Sequence, residues 1–431
     1  MTPQRTAGTG WMLFLFMISG NPAVYALTGG ADNLLPIAAA ILWLAVLARR
    51  VQVLTPRFLR VTALLVVISI VQCFEFHFWP VVTILGMVTR LFIAAAIVPL
   101  VDDFPRAYVR AITIIATYCI VMWTIDQMAL ALSVDFRSLF KPLEDAIGLN
   151  VDHRFAGVYT FAVLDGKYRN CGIFREPGLF AGYLLLGLMF LLLDRDRGEP
   201  LVRRRRIIIM LVGLLTTVST AGYVTLPLVL ASVALDDNGR TGRASQRAGI
   251  FLAVLLVSIA GLWVVGTQTS FLQNKVEAQY EEFVNEGKGY EITRFGAALL
   301  DLNAIEERPL AGWGFHESTK FAQTPELAEI SPSGGLTGWA RSVGLLGVAV
   351  LLVAMWASMR PLVGGNLAAS IYTTAVIAVI IQPNTFLNFP MFLSLMFLRP
   401  PRPPRDLDGP HDGARPPDPA PPRAELRSRP S

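Results

Sequence analysis

Charged residues are scarce in this sequence. Lys, Arg, Asp and Glu make up 16% of it, while 53% of the residues are hydrophobic. An average soluble domain is about a quarter charged. The charges are also grouped, so that residues 11–28 and 207–235 contain none. Because such a chain cannot hide its apolar surface from water, the shortage of charge excludes an ordinary soluble protein and predicts one embedded in a lipid bilayer.

Residues that hold metals or form disulfides are also few. The three cysteines are Cys73, Cys119 and Cys171. Their odd number does not fit a disulfide framework, and no two of them form a CxxC pair. His77, His153 and His316 are isolated from one another, and no HExxH motif is present. We therefore expect surface histidines, no metal site and no cofactor.

The net charge of +5 does not indicate nucleic-acid binding, because the basic residues lie beside the apolar runs. That arrangement is typical of membrane topology, in which Lys and Arg flank the spans on the cytoplasmic side. Only Arg5 precedes the first run, and no small-residue cleavage site follows it. Residues 11–28 are therefore predicted to be a retained span and not a cleaved signal peptide.

The apolar segments predict an all-α polytopic membrane protein with about 12 transmembrane helices, in a range of about 11 to 13. In chain order the segments are 11–28, 33–48, 58–74, 79–101, 108–133, 176–193, 207–220, 222–235, 247–269, 336–358, 366–382 and 385–398. Together they form one transmembrane domain, 11–398, after a cytoplasmic N-terminus, 1–10. Residues 399–431 are rich in Pro and Arg, which predicts a disordered cytoplasmic tail.

The uninterrupted run 207–235 is predicted to be two short helices. Arginines precede it at 203–206 and follow it at Arg240, so both of its ends belong in the cytoplasm. The small and polar residues 216–222 then form the turn. Each half is about 21 Å of helix, less than the roughly 30 Å hydrocarbon core, which predicts a recessed turn buried by neighbouring helices. Residues 366–398 divide in the same way at a Gln-Pro-Asn break.

Basic residues assign the remaining loops to the two sides of the membrane. The arginines assigned to the cytoplasm are Arg49, Arg50, Arg57, Arg60, Arg106 and Arg110. Two longer loops, 134–175 and 270–335, then fall on the outer side, which in a bacterial inner membrane faces the periplasm. They contain most of the remaining polar residues, so we expect the chemistry on this side.

The first candidate segment is the end of the earlier outer loop. Arg169, Arg175 and Glu176 lie there at the boundary of the span that begins near Pro177. Proline suits the first turn of a helix and a carboxylate suits its positive end, so a well-formed helix start explains Glu176 as readily as a function does. Arg169 requires more explanation, because positive charge is usually kept off outer loops.

The second candidate segment lies in the larger outer loop. The apolar residues that fit one helical face are Phe295, Leu299, Leu302 and Ile305. This spacing predicts an amphipathic helix that begins at Arg294. A guanidinium at that end opposes the helix dipole, which indicates that it faces an anion. The stretch 309–314 that follows contains two glycines and is typical of a tight turn.

A third candidate is Arg90, in the centre of the span 79–101. A charge at that depth costs several kcal/mol unless it is paired or wet. Asp126, in the next span, is a candidate partner. A structural ion pair and a functional role both fit this pattern.

Three of these segments resemble the bacterial O-antigen polymerase and ligase family, the polytopic glycosyltransferases of polysaccharide assembly. The motif R-x-x-G-x-F-x-x-P at 169–177 is similar to the family's loop-to-helix motif, and its Glu-Pro-Gly form resembles exopolysaccharide polymerases. Residues 216–222 occupy the position of the family's polar turn. Arg294 with 309–314 is similar to the large-loop signature, and Gly-Leu-Leu-Gly at 344–347 fits the start of the next span.

The resemblance covers about residues 165–350 and has two departures. Family members often have Ser-Arg at the polar turn, whereas Ser219 is followed here by Thr220. One phosphate-binding arginine is then absent or supplied by Arg175 or Arg90. Ligases also have a histidine shortly before the Gly-Leu-Leu-Gly-like segment, where this chain has Ser-Pro-Ser-Gly-Gly. This second departure favours a polymerase.

The resemblance implies polymerisation of lipid-linked oligosaccharide repeat units into a surface polysaccharide or exopolysaccharide on the outer face of the inner membrane. A sugar hydroxyl of one unit would attack the anomeric carbon of another and displace a polyprenyl diphosphate, which guanidiniums would neutralise. The residues expected to bind the diphosphate are Arg169, Arg175, Arg294 and Arg90. The candidate catalytic residues, which would accept the hydroxyl proton, are Glu176 and His316.

Two other interpretations stay open. A ligase would transfer a glycan to a lipid or protein acceptor with the same fold and donor. A transporter would use charged or broken spans near the midplane, as Arg90, Asp126 and the break at Pro383 allow. The expected partners are a polyprenyl-diphosphate-linked oligosaccharide, membrane lipid, a chain-length regulator and a flippase, without nucleic acid.

Overall fold

A computed structural model of the chain describes residues 3–147, 154–161, 168–194, 199–235, 294–320 and 335–399. Most of these residues are helical. The helices are α1 (Pro3–Ile18), α2 (Pro22–Leu27), α3 (Ala31–Arg49), α4 (Pro56–Phe76), α5 (Val81–Leu100), α6 (Phe104–Ala131), α7 (Lys141–Ile147), α8 (Pro177–Leu193), α9 (Pro200–Thr216), α10 (Thr220–Leu235), α11 (Arg294–Glu307), α12 (Glu317–Lys320), α13 (Leu336–Met359), α14 (Leu367–Ile381) and α15 (Pro390–Leu393). Short 3-10 helices occupy Phe136–Phe140, Phe386–Asn388 and Ser394–Phe397. One antiparallel hairpin pairs β1 (Arg154–Ala156) with β2 (Tyr159–Phe161).

Capping residues and prolines set where the helices begin. Thr55, Asp103 and Asn366 precede α4, α6 and α14, and each side chain accepts a hydrogen bond from a backbone N–H of the first turn. Prolines lie in the first turn of α4, α6, α8 and α9, where the missing N–H is not needed. These signals explain why the spans predicted for α4, α8 and α14 begin close to the observed boundaries.

Several helices have the length and composition of membrane spans. Of the described helices, α4, α5, α6 and α13 are long and apolar enough to cross a membrane, and shorter apolar stretches lie in α1, α3, α8, α10 and α14. The side chains of Phe74, Val82 and Leu85 are exposed although they are large and apolar. Such surface is stable in lipid and not in water. The described part is therefore that of a mostly helical membrane protein, and the total of about 12 spans stays a prediction.

The middle of the bundle is α8, whose residues are almost all buried. It packs against α6, α9, α10 and α14. Helices that are apolar on every side are typically enclosed in this way. Two glycines allow the close packing. The Phe386 ring occupies the space that a Cβ on Gly182 would need, and the Ile112 side chain lies 2.8 Å from the Cβ position of Gly187.

Two predicted spans are wrong as single helices. Residues 11–28 divide because α1 ends at Ile18, Gly20 has a φ of +119° and the Asn21 side chain caps α2. Residues 385–398 are a succession of short helical turns instead of a span. The chain is extended at Phe389, directly before Pro390, because a residue that precedes proline disfavours the helical conformation.

Two further spans begin or break differently from the prediction. The helix α9 begins at Pro200, not at 207, so the arginines at 203–206 belong to the helix itself. The helix α13 covers the predicted span 336–358, but Gly344 interrupts it with a φ of +68° and a ψ of 177°. This conformation is essentially restricted to glycine.

Contacts between the ends of the helices join residues that the sequence assigns to the same side of the membrane. At the predicted cytoplasmic end, the Arg49 guanidinium donates to the Leu100 carbonyl, and the Arg399 guanidinium donates to the Gln52 carbonyl. At the predicted outer end, Arg308 of the larger loop forms an ion pair with Glu75 near the end of α4. The assignment of these ends to the cytoplasmic and outer sides stays a prediction.

Some predicted segments lie outside the described residues. They are the span 247–269, residues 148–153 with His153, residues 270–293 and 321–334 of the larger outer loop, and the tail from 400 onward. The described parts of the earlier outer loop contain α7, the hairpin and the 3-10 helix Phe136–Phe140.

Candidate functional site

A polar cavity of about 200 Å³ lies between α5, α12, the first half of α13 and the turns that follow α14. Its polar and charged lining residues are Thr83, Arg90, Lys320, Ser342, Thr385 and Asn388. Phe315 and Trp339 provide aromatic walls, and the Trp339 indole donates a 3.3 Å hydrogen bond to Asn388 Oδ1. Two cations among hydroxyl and amide groups suit a polar, negatively charged ligand.

Arg90 reaches this cavity from the middle of α5. Asp126 was predicted as its partner, and that prediction is wrong. The Asp126 carboxylate instead accepts two hydrogen bonds from Arg137, of 2.9 Å from Nε and 2.7 Å from Nη2. Since a guanidinium in a span needs paired or wet surroundings, the cavity explains the position of Arg90 better than an ion pair with α6 does.

The Arg137–Asp126 pair provides the first prediction. Its side chains are 11% and 3% exposed, and removing one partner of a buried pair leaves an uncompensated charge. Arg137→Met is therefore expected to destabilise the fold by about 3–5 kcal/mol, measured as thermal unfolding in detergent.

The matched control is Arg106→Met, because Arg106 pairs with Asp194 at 3.1 Å but is 43% exposed. An exposed pair contributes at most about 1 kcal/mol. Equal losses of stability in the two variants would contradict the structural role of the buried pair.

Lys320 provides the second cation of the cavity. It is the last residue of α12, and its carbonyl accepts a 2.7 Å hydrogen bond from the Arg341 guanidinium. Burial lowers the pKa of Lys320, the Asp301 carboxylate opposes the shift and the Arg341 guanidinium adds to it. The ammonium group therefore lies in surroundings where an added negative charge would be stabilised.

A buried ion pair fixes the larger outer loop to α13. Asp301 is fully buried in α11, and one of its carboxylate oxygens lies 3.6 Å from Arg341 Nη1. The other oxygen accepts a 3.0 Å hydrogen bond from the Thr337 hydroxyl. The helix α12 follows α11 after the loop 309–314, and Arg341 donates a hydrogen bond to its last carbonyl, that of Lys320. The ion pair therefore sets the position of Lys320 beside the cavity.

The loop 309–314 forms the tight turn that the sequence predicts, with φ of +70° at Gly312 and +90° at Gly314. The turn docks at the break in α13. The N–H groups of Trp313 and Gly314 donate to the carbonyls of Arg341 and Ser342, each at 2.8 Å. These carbonyls can accept because the conformation of Gly344 interrupts the helical hydrogen bonds.

The side chain of Gln72 joins a third helix to this junction. Its Nε2 donates to the Ala311 carbonyl and, at 2.8 Å, to the Ser342 carbonyl. The Leu345 N–H donates to the Pro309 carbonyl at 2.7 Å. The larger loop, α4 and α13 thus share one hydrogen-bonded junction, which includes the backbone carbonyl of the cavity residue Ser342.

The buried face of α11 differs from the predicted one. Helix α11 does begin at Arg294. Leu302, expected on the apolar face, is 48% exposed, whereas Ile305 is buried as predicted, together with Asp301 and Ala304. The face that packs on α13 is therefore centred on an acidic residue that pairs with Arg341. The side chain of Arg294 lies outside the described residues.

The segment 169–177 meets the polar turn between α9 and α10. The backbone N–H of Asn170 donates to the Thr216 carbonyl at 2.9 Å, and Asn170 Nδ2 donates to the Thr216 hydroxyl at 3.0 Å. Arg169 Nε donates to the Thr217 carbonyl at 3.2 Å. Thr217 and Ser219 are buried, so the prediction of a buried polar turn is confirmed.

Arg175 and Glu176 lie where this segment enters α8. The Arg175 side chain is exposed, and its backbone N–H donates to the Gly20 carbonyl at 3.2 Å. Glu176 is the N-cap residue of α8 but its carboxylate makes no capping hydrogen bond. Pro177 occupies the first turn as predicted. The helix start thus accounts for the position of Glu176.

Cys171, between the two arginines, is a buried thiol. Burial raises the pKa of its thiol to about 12, and the Arg169 guanidinium opposes this shift. The thiol therefore stays protonated and is a poor nucleophile.

His316 lies near the cavity but does not line it. Its ring packs on Phe78 with a centroid distance of 4.8 Å, and its Nδ1 lies 2.7 Å from the Ser318 hydroxyl. These contacts anchor the start of α12. Among the described residues that line the cavity, only Arg90 belongs to the predicted site residues.

Lys320 and Arg341 are the residues that the sequence did not reveal. Arg341 lies within the apolar segment 336–358, and an ionisable residue inside a predicted span is itself a signal of a functional or paired position. Lys320 has no comparable signal, because a lysine in a polar loop is unremarkable until α12 packs beside α13. No protein-family model matches the chain, and no functionally curated protein is significantly similar to it.

Proposed function

We propose that this protein is a membrane glycosyltransferase that polymerises polyprenyl-diphosphate-linked oligosaccharide repeat units on the outer face of a bacterial inner membrane. The observation that carries the proposal is the polar cavity, in which Arg90 and Lys320 face a space of about 200 Å³ within a largely apolar bundle. The meeting of 169–177 with the polar turn, and of 309–314 with α13, supports the resemblance to the polymerase and ligase family.

The reaction requires little beyond positioning and charge neutralisation. The oxygen of a sugar hydroxyl forms a bond to the anomeric carbon of a second repeat unit. The bond from that carbon to the diphosphate oxygen breaks, and the polyprenyl diphosphate leaves with the electron pair. Cations held in a water-poor site stabilise this leaving charge more strongly than water does. We assign this role to Arg90 and Lys320.

The other predicted residues complete the proposal. Arg169, Arg175 and Arg294 lie on segments of the predicted outer side and would guide the anionic carrier towards the cavity. The hydroxyl proton must pass to a base, and Glu176 and His316 are the candidates. A chain-length regulator and a flippase would work beside this protein, because it would extend units that have already crossed the membrane.

The direct test is the size distribution of lipid-linked and surface glycans in cells that lack this protein. We expect single repeat units to accumulate on the lipid carrier and long polymer to disappear, since no other step joins the units. Gel electrophoresis of extracted glycans measures both, and a plasmid copy of the gene restores the polymer.

The other outcomes of this experiment would each indicate a different function. Intact polymer that stays on its lipid carrier would identify a ligase. Unchanged glycans would overturn the proposal and favour a transporter, for which the break at Gly344 beside the cavity is the specific structural support.

A further inference from the structure

We infer that a groove between α6 and α9 binds an anionic phospholipid, with the phosphate at Arg205 and Arg206 and an acyl chain along the apolar wall. This site lies away from the polar cavity, on different helices. The inference does not depend on the proposed glycan chemistry.

The groove has a volume of about 520 Å³ and is open to the outside of the bundle. One wall is α6, with Thr113, Ile114, Thr117 and Tyr118, and the other is the first half of α9. Ile114 is 52% exposed. An apolar side chain that is exposed on a membrane-spanning helix faces lipid, so the groove is open to the bilayer.

The polar atoms of the α6 wall are already satisfied. The Thr113 hydroxyl donates to the Val109 carbonyl at 2.6 Å, and the Thr117 hydroxyl donates to the Thr113 carbonyl at 2.8 Å. The Tyr118 hydroxyl donates to the Ala156 carbonyl at 3.1 Å. These side chains consequently present methyl and ring carbon to the groove, which suits a hydrocarbon chain and not a sugar or a nucleotide.

Positive charge is concentrated on the α9 wall of the groove. Arg205 and Arg206 line it and belong to a run of consecutive arginines. No hydrogen bond or salt bridge joins either guanidinium to another residue of the described ranges, and the Asp194 carboxylate is the acidic group that acts on Arg206 electrostatically. Guanidiniums bind phosphate oxygens through paired hydrogen bonds, and basic pockets between helices on the cytoplasmic side are suited to anionic lipid head groups.

The combination selects one class of ligand. A free phosphate would use the arginines but not the apolar wall, and a neutral lipid would use the wall but not the arginines. An anionic glycerophospholipid of the cytoplasmic leaflet uses both. The position of the arginines in the first turns of α9, which the basic residues assign to the cytoplasmic end, fits this leaflet.

The test is native mass spectrometry of the full-length protein in detergent, titrated with phosphatidylglycerol. The variant Arg205→Gln/Arg206→Gln should bind this lipid about tenfold or more weakly, because two charge-assisted contacts are lost. The control Arg203→Gln/Arg204→Gln removes the same charge from the same run, but neither of its residues lines the groove, and it should bind within about twofold of the parent chain. Thr117→Trp, which fills the apolar wall without changing charge, should also weaken binding.

Three results would overturn the inference. Equal weakening in both arginine variants would show a diffuse electrostatic effect. Displacement of the lipid by glycerol phosphate would show a phosphate site without a lipid tail. Unchanged binding in Thr117→Trp would show that no acyl chain lies along the apolar wall. If the first variant fails to fold, judged by its thermal unfolding in neutral detergent, the Thr117→Trp result decides alone.

Discussion

Lys320→Gln is expected to lower the rate of chain extension by a factor of about 100 or more, while Lys320→Arg keeps most of it. The lysine lines the polar cavity together with Arg90. A cation there stabilises negative charge that develops on the leaving diphosphate, and glutamine keeps the size of the side chain but not the charge. The measurement is the rate at which the purified protein forms polymer from lipid-linked repeat units.

The pH dependence gives this prediction a second readout. Burial lowers the pKa of Lys320 from its ordinary value of 10.5. If the protonated form is the active one, activity falls as the pH rises through this lowered pKa. In Lys320→Arg the fall should vanish, because a guanidinium stays protonated. The same shift means that the unfolded chain holds the proton more tightly, so the contribution of Lys320 to stability increases as the pH rises towards 10.5.

The matched control for Lys320→Gln is Lys141→Gln. Lys141 begins α7 in the other predicted outer loop and is exposed, so its loss changes the net charge equally without touching the cavity. Arg90→Gln should reduce activity like Lys320→Gln, and the double variant should lose less than the product of the two effects, because both cations act on one anion. Full activity in a folded Lys320→Gln protein would remove the cavity from the mechanism.

The sequence predicts most of the described helices because each span is determined by residues that are close together in the chain. An apolar run gives the length of a helix, and residues such as Thr55 and Asp103 mark its start. The breaks in α13 and between α1 and α2 are different. A glycine inside a helix costs only about 1 kcal/mol, so nothing local distinguishes Gly344 from Gly187. The hydrogen bonds from the loop 309–314 decide the conformation of Gly344, and they exist only in the folded chain.

The features of the candidate site likewise divide into those that follow from the sequence and those that depend on packing. Motif order and predicted sidedness place 169–177 and 216–222 on the same side of the membrane, but their contact appears only in the folded chain. The partner of Asp126 could not be anticipated, because Arg90 lies in the preceding predicted span and Arg137 lies 11 positions further along the chain, and only packing chooses between them. Lys320 acquires its role through the pair of Asp301 with Arg341, which joins residues 40 positions apart by number. Ion pairs of that kind depend on how helices pack and not on any local pattern.

Gly312→Ala is expected to destabilise the protein by about 4 kcal/mol or more and to abolish polymer formation. A Cβ at this position would lie 2.6 Å from the Arg341 carbonyl oxygen and 2.8 Å from the Ser342 carbonyl carbon. These are backbone atoms that cannot rotate away. The turn 309–314 would have to leave the break in α13, and its hydrogen bonds to Arg341 and Ser342 would be lost.

The control Gly365→Ala separates this close approach from backbone strain. Gly365 has a φ of +79°, similar to the +70° of Gly312, but no atom lies within 4 Å of its Cβ position. Gly365→Ala should therefore lower the free energy of unfolding by only about 1–2 kcal/mol, which is what the left-handed conformation costs a residue with a side chain. Thermal unfolding in detergent compares the two variants. Equal losses would mean that the turn does not depend on its contact with α13. A much larger loss for Gly312→Ala would show that the large loop is held there by backbone contact, and with it the lysine that we assign to the diphosphate.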